Sequence, residues 1–212
     1  MTNLMLPGFG EPELPDTLPA LYDHAKTCTK CRLHQTRKQV TWGMGDPNSP
    51  LVVVGMGPSV SDDHSGGTYT GPAGAELDAL FEEAGITRDD VWLTNAHKCV
   101  AHKKDDPYNI RQPTKTELQA CEPWIKRELE IIKPKVMLVI GAPTAKWMID
   151  PNFDLTTQRG IWYTRPDGIK TMATYQPTYI TRLRSHNAPD AEEKYHAMRQ
   201  DFIMVAKEAG LA

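Results

Sequence analysis

Two sets of residues in this sequence are of types and spacings that can do chemistry. The first is four cysteines: the close pair Cys28-Thr-Lys-Cys31 and the distant singles Cys99 and Cys121. In a reducing compartment such thiols are metal ligands more often than disulfides, and a pair plus two singles has the arithmetic of one four-thiolate site. The competing reading is that some are small buried apolar residues. The second set is the stretch Leu51–Leu77, where an apolar run, Leu51–Val54, meets Gly55-Met56-Gly57-Pro58. Gly-x-Gly-Pro cannot continue a ladder, so a loop follows at the carboxyl end of a strand, where open α/β sheets hold ligands. The glycines let backbone approach a flat or anionic ligand, and Tyr69 offers a stacking surface. A dinucleotide fingerprint would need a third glycine where Val60 stands, so no nucleotide cofactor is expected.

These residues need elements to carry them. Leu18–Lys26 reads as a short helix delivering Cys28 and Cys31, and Arg32–Asn48 as connecting structure. Leu51–Gly55, Val91–Asn95 and Val136–Ile140 read as strands. Ile161–Thr164 and Thr171–Tyr175 read as a strand pair, or as a strand after the turn at Pro166-Asp167-Gly168. Leu77, Leu80, Phe81 and Ala84 give Ala73–Ala84 helical spacing. Thr114–Ile132, with Thr116 as N-cap, Gly141–Met148 and Ala191–Ala209 complete the helices, and Tyr179–His186 is a loop or short helix. Val100–Thr114 reads as a long loop. Alternating strands and helices predict an α/β fold with a parallel sheet. Its ligand-bearing loops, Met56–Gly71, Asn95–Cys99, Gly141–Pro143 and Gln176–Arg184, should gather at one edge.

At 212 residues the chain fits one domain, 1–212, with residues 1–17 as a Pro- and Gly-rich arm. A formal charge of −3 excludes a protein coated in positive charge but not a local basic face for phosphates. No signal peptide and no membrane-length apolar run is visible, which predicts a soluble intracellular (cytoplasmic) protein without a membrane partner.

The ordered motifs form a signature. They are C-x-x-C, strand-G-x-x-P-x-x-x-D-D, G-x-x-Y-x-G-P-A-G, L-T-N-x-x-K-C, R-x-P-T-x-x-E-x-x-x-C, P-K-V-x-x-x-I-G and T-Y-x-P-T. Each alone is weak, but their order and spacing resemble the uracil-DNA glycosylase superfamily, and within it the iron–sulfur branch called family four. That resemblance implies a three-layer α/β/α sandwich around a mostly parallel four-stranded sheet. It implies a monomeric base-excision repair enzyme that flips a base out of DNA and hydrolyses its N-glycosidic bond, the base being uracil or a related modified pyrimidine. It also implies a [4Fe-4S] cluster on Cys28, Cys31, Cys99 and Cys121; four thiolates would equally hold zinc, so the iron comes from the resemblance alone.

By the same resemblance the base pocket is formed by Gly55, Met56, Gly57, Pro58, Tyr69, Asn95 and Gln176. Tyr69 matches the stacking aromatic, usually Phe, and Asn95 the amide that reads the uracil edge by donating to O4 and accepting from N3–H. Read without the family, Tyr69 is a half-buried loop aromatic and Asn95 a strand-end turn residue. The chain departs from family four at two positions: Met56 replaces the usual Glu, and Gln176 the usual His. Gln176 still offers an NH₂ donor to the departing O2, and Asp62 and Asp63 are the candidates for holding a water or facing positive sugar charge. Asp62 as a turn cap is the structural alternative. DNA contacts are expected from Arg182, Leu183 as a wedge, Arg184, Lys103 and Lys104. A DNA-crosslinking branch carries a nucleophilic His in an enlarged loop here. This chain has Ile110 at the aligned position and His102 out of register, so no covalent step is expected. The competing functions are a glycosylase-fold reader of DNA or modified bases that has lost hydrolysis, and a zinc-stabilised interaction domain.

Overall fold

The computed structural model describes residues 13–103 and 106–212. The outer part of the N-terminal arm and Lys104 lie outside the described residues. The sheet has six strands: β1 (Met44–Gly45), β2 (Leu51–Gly55), β3 (Trp92–Asn95), β6 (Val136–Ile140), β7 (Trp162–Thr164) and β8 (Lys170–Thr174). Their order is β1-β3-β2-β6-β8-β7. The central four are parallel, and a short antiparallel strand extends each edge. The expected four-stranded parallel sheet is therefore the core of a wider one.

Strand periodicity explains the layering. In β2, Leu51 and Val53 face one core and Val52 and Val54 the other; in β6, Val136, Leu138 and Ile140 alternate in the same way with Met137 and Val139. Helices α3 (Pro72–Glu83) and α8 (Ala191–Ala209) close one face, where Phe81 and Phe202 meet edge-on at 5.6 Å. Helices α1 (Leu18–Ala25) and α4 (Lys115–Ile132) close the other, through Leu21, Ala25, Trp124, Ile125 and Leu129. The result is the three-layer sandwich. Among the described residues, no helix is long and apolar enough to cross a membrane.

Three local expectations are corrected, and one open alternative is resolved. Helix α4 is capped by Thr114, not Thr116: its side chain accepts from the Glu117 N–H while Glu117 accepts from the Thr114 N–H, a reciprocal box. The polar loop after β2 contains a helix, α2 (Val60–Ser65), started by a second such box between Ser59 and Asp62. The segment Val100–Thr114 holds a hairpin, β4 (His102–Lys103) with β5 (Asp106–Ile110). Of the two readings for Tyr179–His186, the helix holds: α7 runs Pro177–Ser185, with Gln176 as its N-cap residue. Helices α5 (Ala142–Met148) and α6 (Leu155–Gln158) complete the chain.

Candidate active site

The carboxyl ends of β2, β3, β6 and β8 open on one side of the sheet, and a cavity of about 860 Å³ lies there. Its volume is in the range of small-ligand sites. Met56, Gly57 and Pro58 from the end of β2, Tyr69 before α3, Gly141 after β6 and Gln176 after β8 all line it. Residues far apart in sequence are thus brought together because each follows a parallel strand.

The floor is polar and tight. A Cβ on Gly55 would stand 2.4 Å from the Tyr69 hydroxyl and 2.5 Å from Asn95 Oδ1, so only glycine admits both groups. Gly55 and Asn95 do not themselves line the cavity; they stand against Tyr69, which does. Asn95 is 2 % exposed, and neither its Oδ1 nor its Nδ2 has a hydrogen-bond partner. Tyr69 is buried, not half-buried as expected, and has a left-handed backbone, φ 55°. Burial pushes its phenol well above the usual range, and the Gln176 side chain, as a hydrogen-bonding neighbour, partly offsets this.

The segment from Asn95 to Cys99 is held from behind by a buried ion pair. Lys98 Nζ donates to Glu128 at 2.5 Å and to Thr94 Oγ1 at 2.7 Å, and sits 4.9 Å from the Trp42 ring centroid. Trp92 Nε1 donates to the same carboxylate at 2.8 Å. Satisfied on several sides, Glu128 anchors the whole L-T-N-x-x-K-C segment to α4.

The acidic pair has other duties. Asp62 lines the cavity, yet its carboxylate accepts from Ser59 N (2.8 Å), Ser59 Oγ (2.9 Å), Thr70 N (2.7 Å) and Thr70 Oγ1 (2.9 Å). The turn-capping alternative describes it well. Asp63 is buried away from the cavity wall, accepting from the Lys38 N–H at 3.0 Å. Of the DNA-contact candidates, Arg182 lines the cavity, 5.6 Å from the Tyr179 ring centroid. Leu183 is half-buried against the α3–α8 core, and Arg184 is paired with Glu192 at 2.7 Å. Lys103 is exposed on β4, away from the cavity wall.

The sequence reading missed His97, Tyr175, Tyr179 and Lys194, all of which line the cavity. His97 is buried, and burial lowers its imidazole to about 4, with Arg111 and Lys98 adding to this against Glu117. Its signal was a lone histidine inside L-T-N-x-x-K-C.

The four cysteines line a single small cavity with Arg37, Val40 and Trp124. Arg37 Nη1 donates to Cys99 Sγ and the Lys98 N–H to Cys121 Sγ, both at 3.2 Å, while Arg37 Nη2 ties down the Cys28 carbonyl oxygen at 2.7 Å. Burial pushes the Cys99 and Cys121 thiols up to about 11 and about 12. Donors aimed at sulfur suit a thiolate-rich centre. Among the described residues, no three His, Cys, Asp or Glu side chains are drawn together as a single-ion site, so what the four thiols share is the cavity and not a tight ligand cage.

Residues 42–200 match the family described as the uracil DNA glycosylase superfamily. The chain is 35 % identical to the type-4 uracil-DNA glycosylase of Thermotoga maritima over 165 residues, covering 77 % of this chain and 83 % of that protein. It is 31 % identical to the type-4 enzyme of Saccharolobus solfataricus over 200 residues, 92 % and 87 % of the two chains. The type-5 uracil-DNA glycosylase of Pyrobaculum aerophilum is 28 % identical over 143 residues, 58 % of this chain and 59 % of that protein. With its parallel core, its strand-end cavity and this match over most of its length, the chain belongs to the uracil DNA glycosylase superfamily.

Proposed function

We propose that the protein is a uracil-DNA glycosylase that hydrolyses the N-glycosidic bond of a base flipped out of DNA. The observation that carries this is the Asn95 amide, buried and without a partner at either atom beside the Tyr69 hydroxyl, which in turn neighbours Gln176. An orphaned buried amide costs about 1–3 kcal/mol. The O4 and N3–H of uracil would satisfy both of its atoms, whereas cytosine presents the opposite pattern.

In this reading the base enters the cavity beside Tyr69 and its edge meets Asn95. Gln176, at the start of α7, directs its NH₂ toward the departing O2 as negative charge builds there. Arg182 contacts a phosphate at the rim. Cys28, Cys31, Cys99 and Cys121 hold a [4Fe-4S] cluster, which would tie the chain after α1 to the β3–α4 segment and supply no step of the hydrolysis. The shared cavity and the N–H donors on two of the sulfurs support this assignment.

The test is incubation with single- and double-stranded oligonucleotides bearing uracil or 5-substituted and deaminated bases, followed by alkali. Strand cleavage at uracil is expected. Tight binding with every strand intact would favour a reader of modified DNA instead. A brown protein with iron and sulfide in equal amounts is expected on purification, and a colourless zinc protein would overturn the cluster assignment.

A further inference from the structure

The cavity wall beside Met56 holds a polar side chain with no role so far. His97 follows β3 by two residues, and its backbone N–H donates to the Met56 carbonyl oxygen at 3.0 Å. That bond sets the imidazole alongside the loop leaving β2. The ring covers Gly57 so closely that a Cβ there would stand 3.3 Å from Nδ1. It lines the cavity, yet the residue is 1 % exposed and Nε2 has no protein partner. A buried ring nitrogen left unpaired destabilises the fold, and at a cavity wall a held water is the partner that would satisfy it.

Three other polar groups of the cavity lining are already engaged. The Asp62 carboxylate accepts four hydrogen bonds, Thr144 Oγ1 donates to the Ile140 carbonyl oxygen at 2.7 Å, and Arg111 is held by Glu117 at 2.8 Å. Met56 offers only a thioether, a weak acceptor.

We propose that the His97 imidazole holds the water that attacks C1′ of the flipped nucleotide. It supplies from the end of β3 what Met56 cannot supply from the end of β2. The assignment rests on the glycosylase reading above. As the C1′–N1 bond breaks, its electron pair leaves with the base, spread over N1 and O2, and C1′ becomes cationic. The oxygen of the held water forms the new bond to C1′. The proton that water loses passes to bulk solvent at the open side of the cavity, and the base anion recovers one from solvent. One water is consumed, and an abasic sugar and a neutral base are released. A cationic C1′ accepts neutral water, so the contribution of the imidazole is placement.

Single-turnover excision of uracil from a single-stranded oligonucleotide, with protein in saturating excess, tests this in His97→Ala and His97→Asn. Binding to the same strand carrying a cleavage-resistant 2′-fluoro-deoxyuridine is measured in parallel. His97→Ala is expected to slow excision about 100-fold while leaving that affinity unchanged. Added imidazole should restore part of the rate, and His97→Asn should fall between alanine and the wild type. A wild-type rate in His97→Ala overturns the proposal, as does a joint loss of rate and affinity that imidazole does not rescue. A wild-type protein that releases no base fails differently: it overturns the glycosylase reading, and this proposal with it.

Discussion

The Tyr69 hydroxyl and Asn95 Oδ1 converge over Gly55, at 2.4 and 2.5 Å from the point a Cβ would occupy there. The floor of the site is therefore a three-residue unit drawn from β2, β3 and the turn before α3. Gly55→Ala should push both polar groups off their positions. Overpacking of this kind costs about 1–3 kcal/mol, so a lower melting temperature and lost excision are expected together. A melting temperature equal to the wild type would show that the floor has room to spare.

Asn95 should trade stability for activity. Replacing its unpartnered amide by the similarly sized Asn95→Leu removes two buried orphans, and a gain of about 1–3 kcal/mol is expected. Urea unfolding measures it. A destabilised Asn95→Leu would mean that the amide has partners in the free protein.

Gln176→His should raise uracil excision, since histidine is the usual family-four residue at this place. The ring would approach both Gly141 and the Tyr69 hydroxyl. Unchanged excision with folding preserved would remove Gln176 from the reacting centre.

Lys98→Met should be severe. It would leave Glu128 charged, fully buried and without its cation. Breaking such a pair costs about 3–5 kcal/mol, and the loss should reach Asn95 and Cys99, between which Lys98 stands. Equilibrium unfolding and the visible absorbance expected of the proposed cluster report the two effects separately.

Acid should weaken the anchor of α4. Burial alone would raise the Glu117 carboxyl, but hydrogen bonds from Arg111, the Thr114 N–H and Arg32 outweigh it and hold the group well below its ordinary 4.5. A carboxyl depressed on folding contributes stability that is fully present above its unfolded value and lost as pH falls below it. Melting temperature should therefore decline as the pH drops below 4.5. Glu117→Gln should be less stable at neutral pH and flatter in that acid range.

The parallel core was legible because β2 and β6 are short apolar runs bounded by glycine and proline, a pattern that alternation on two buried faces explains. Helix α2 and the β4–β5 hairpin were not, since neither has an apolar stripe. The first exists by capping: its buried residues are Asp62 and Asp63. The second carries exposed Tyr108 and Ile110. Near the site, Asn95 and Gln176 were picked out by motifs at strand ends and Tyr69 by the G-x-x-Y-x-G-P-A-G motif before α3. His97 escaped because nothing local shows that a histidine two residues past a strand turns inward. Asp62 looked like chemistry in the sequence, where nothing shows the four hydrogen bonds that hold its carboxylate.

The most direct measurement is chromatographic quantification of free uracil released from a uracil-containing strand by the wild type and by Asn95→Leu. The wild type should release uracil to the extent of the strand supplied, and the variant should do so about 100-fold more slowly. Release of no uracil by the folded wild type, or equal release by both proteins, would contradict the account.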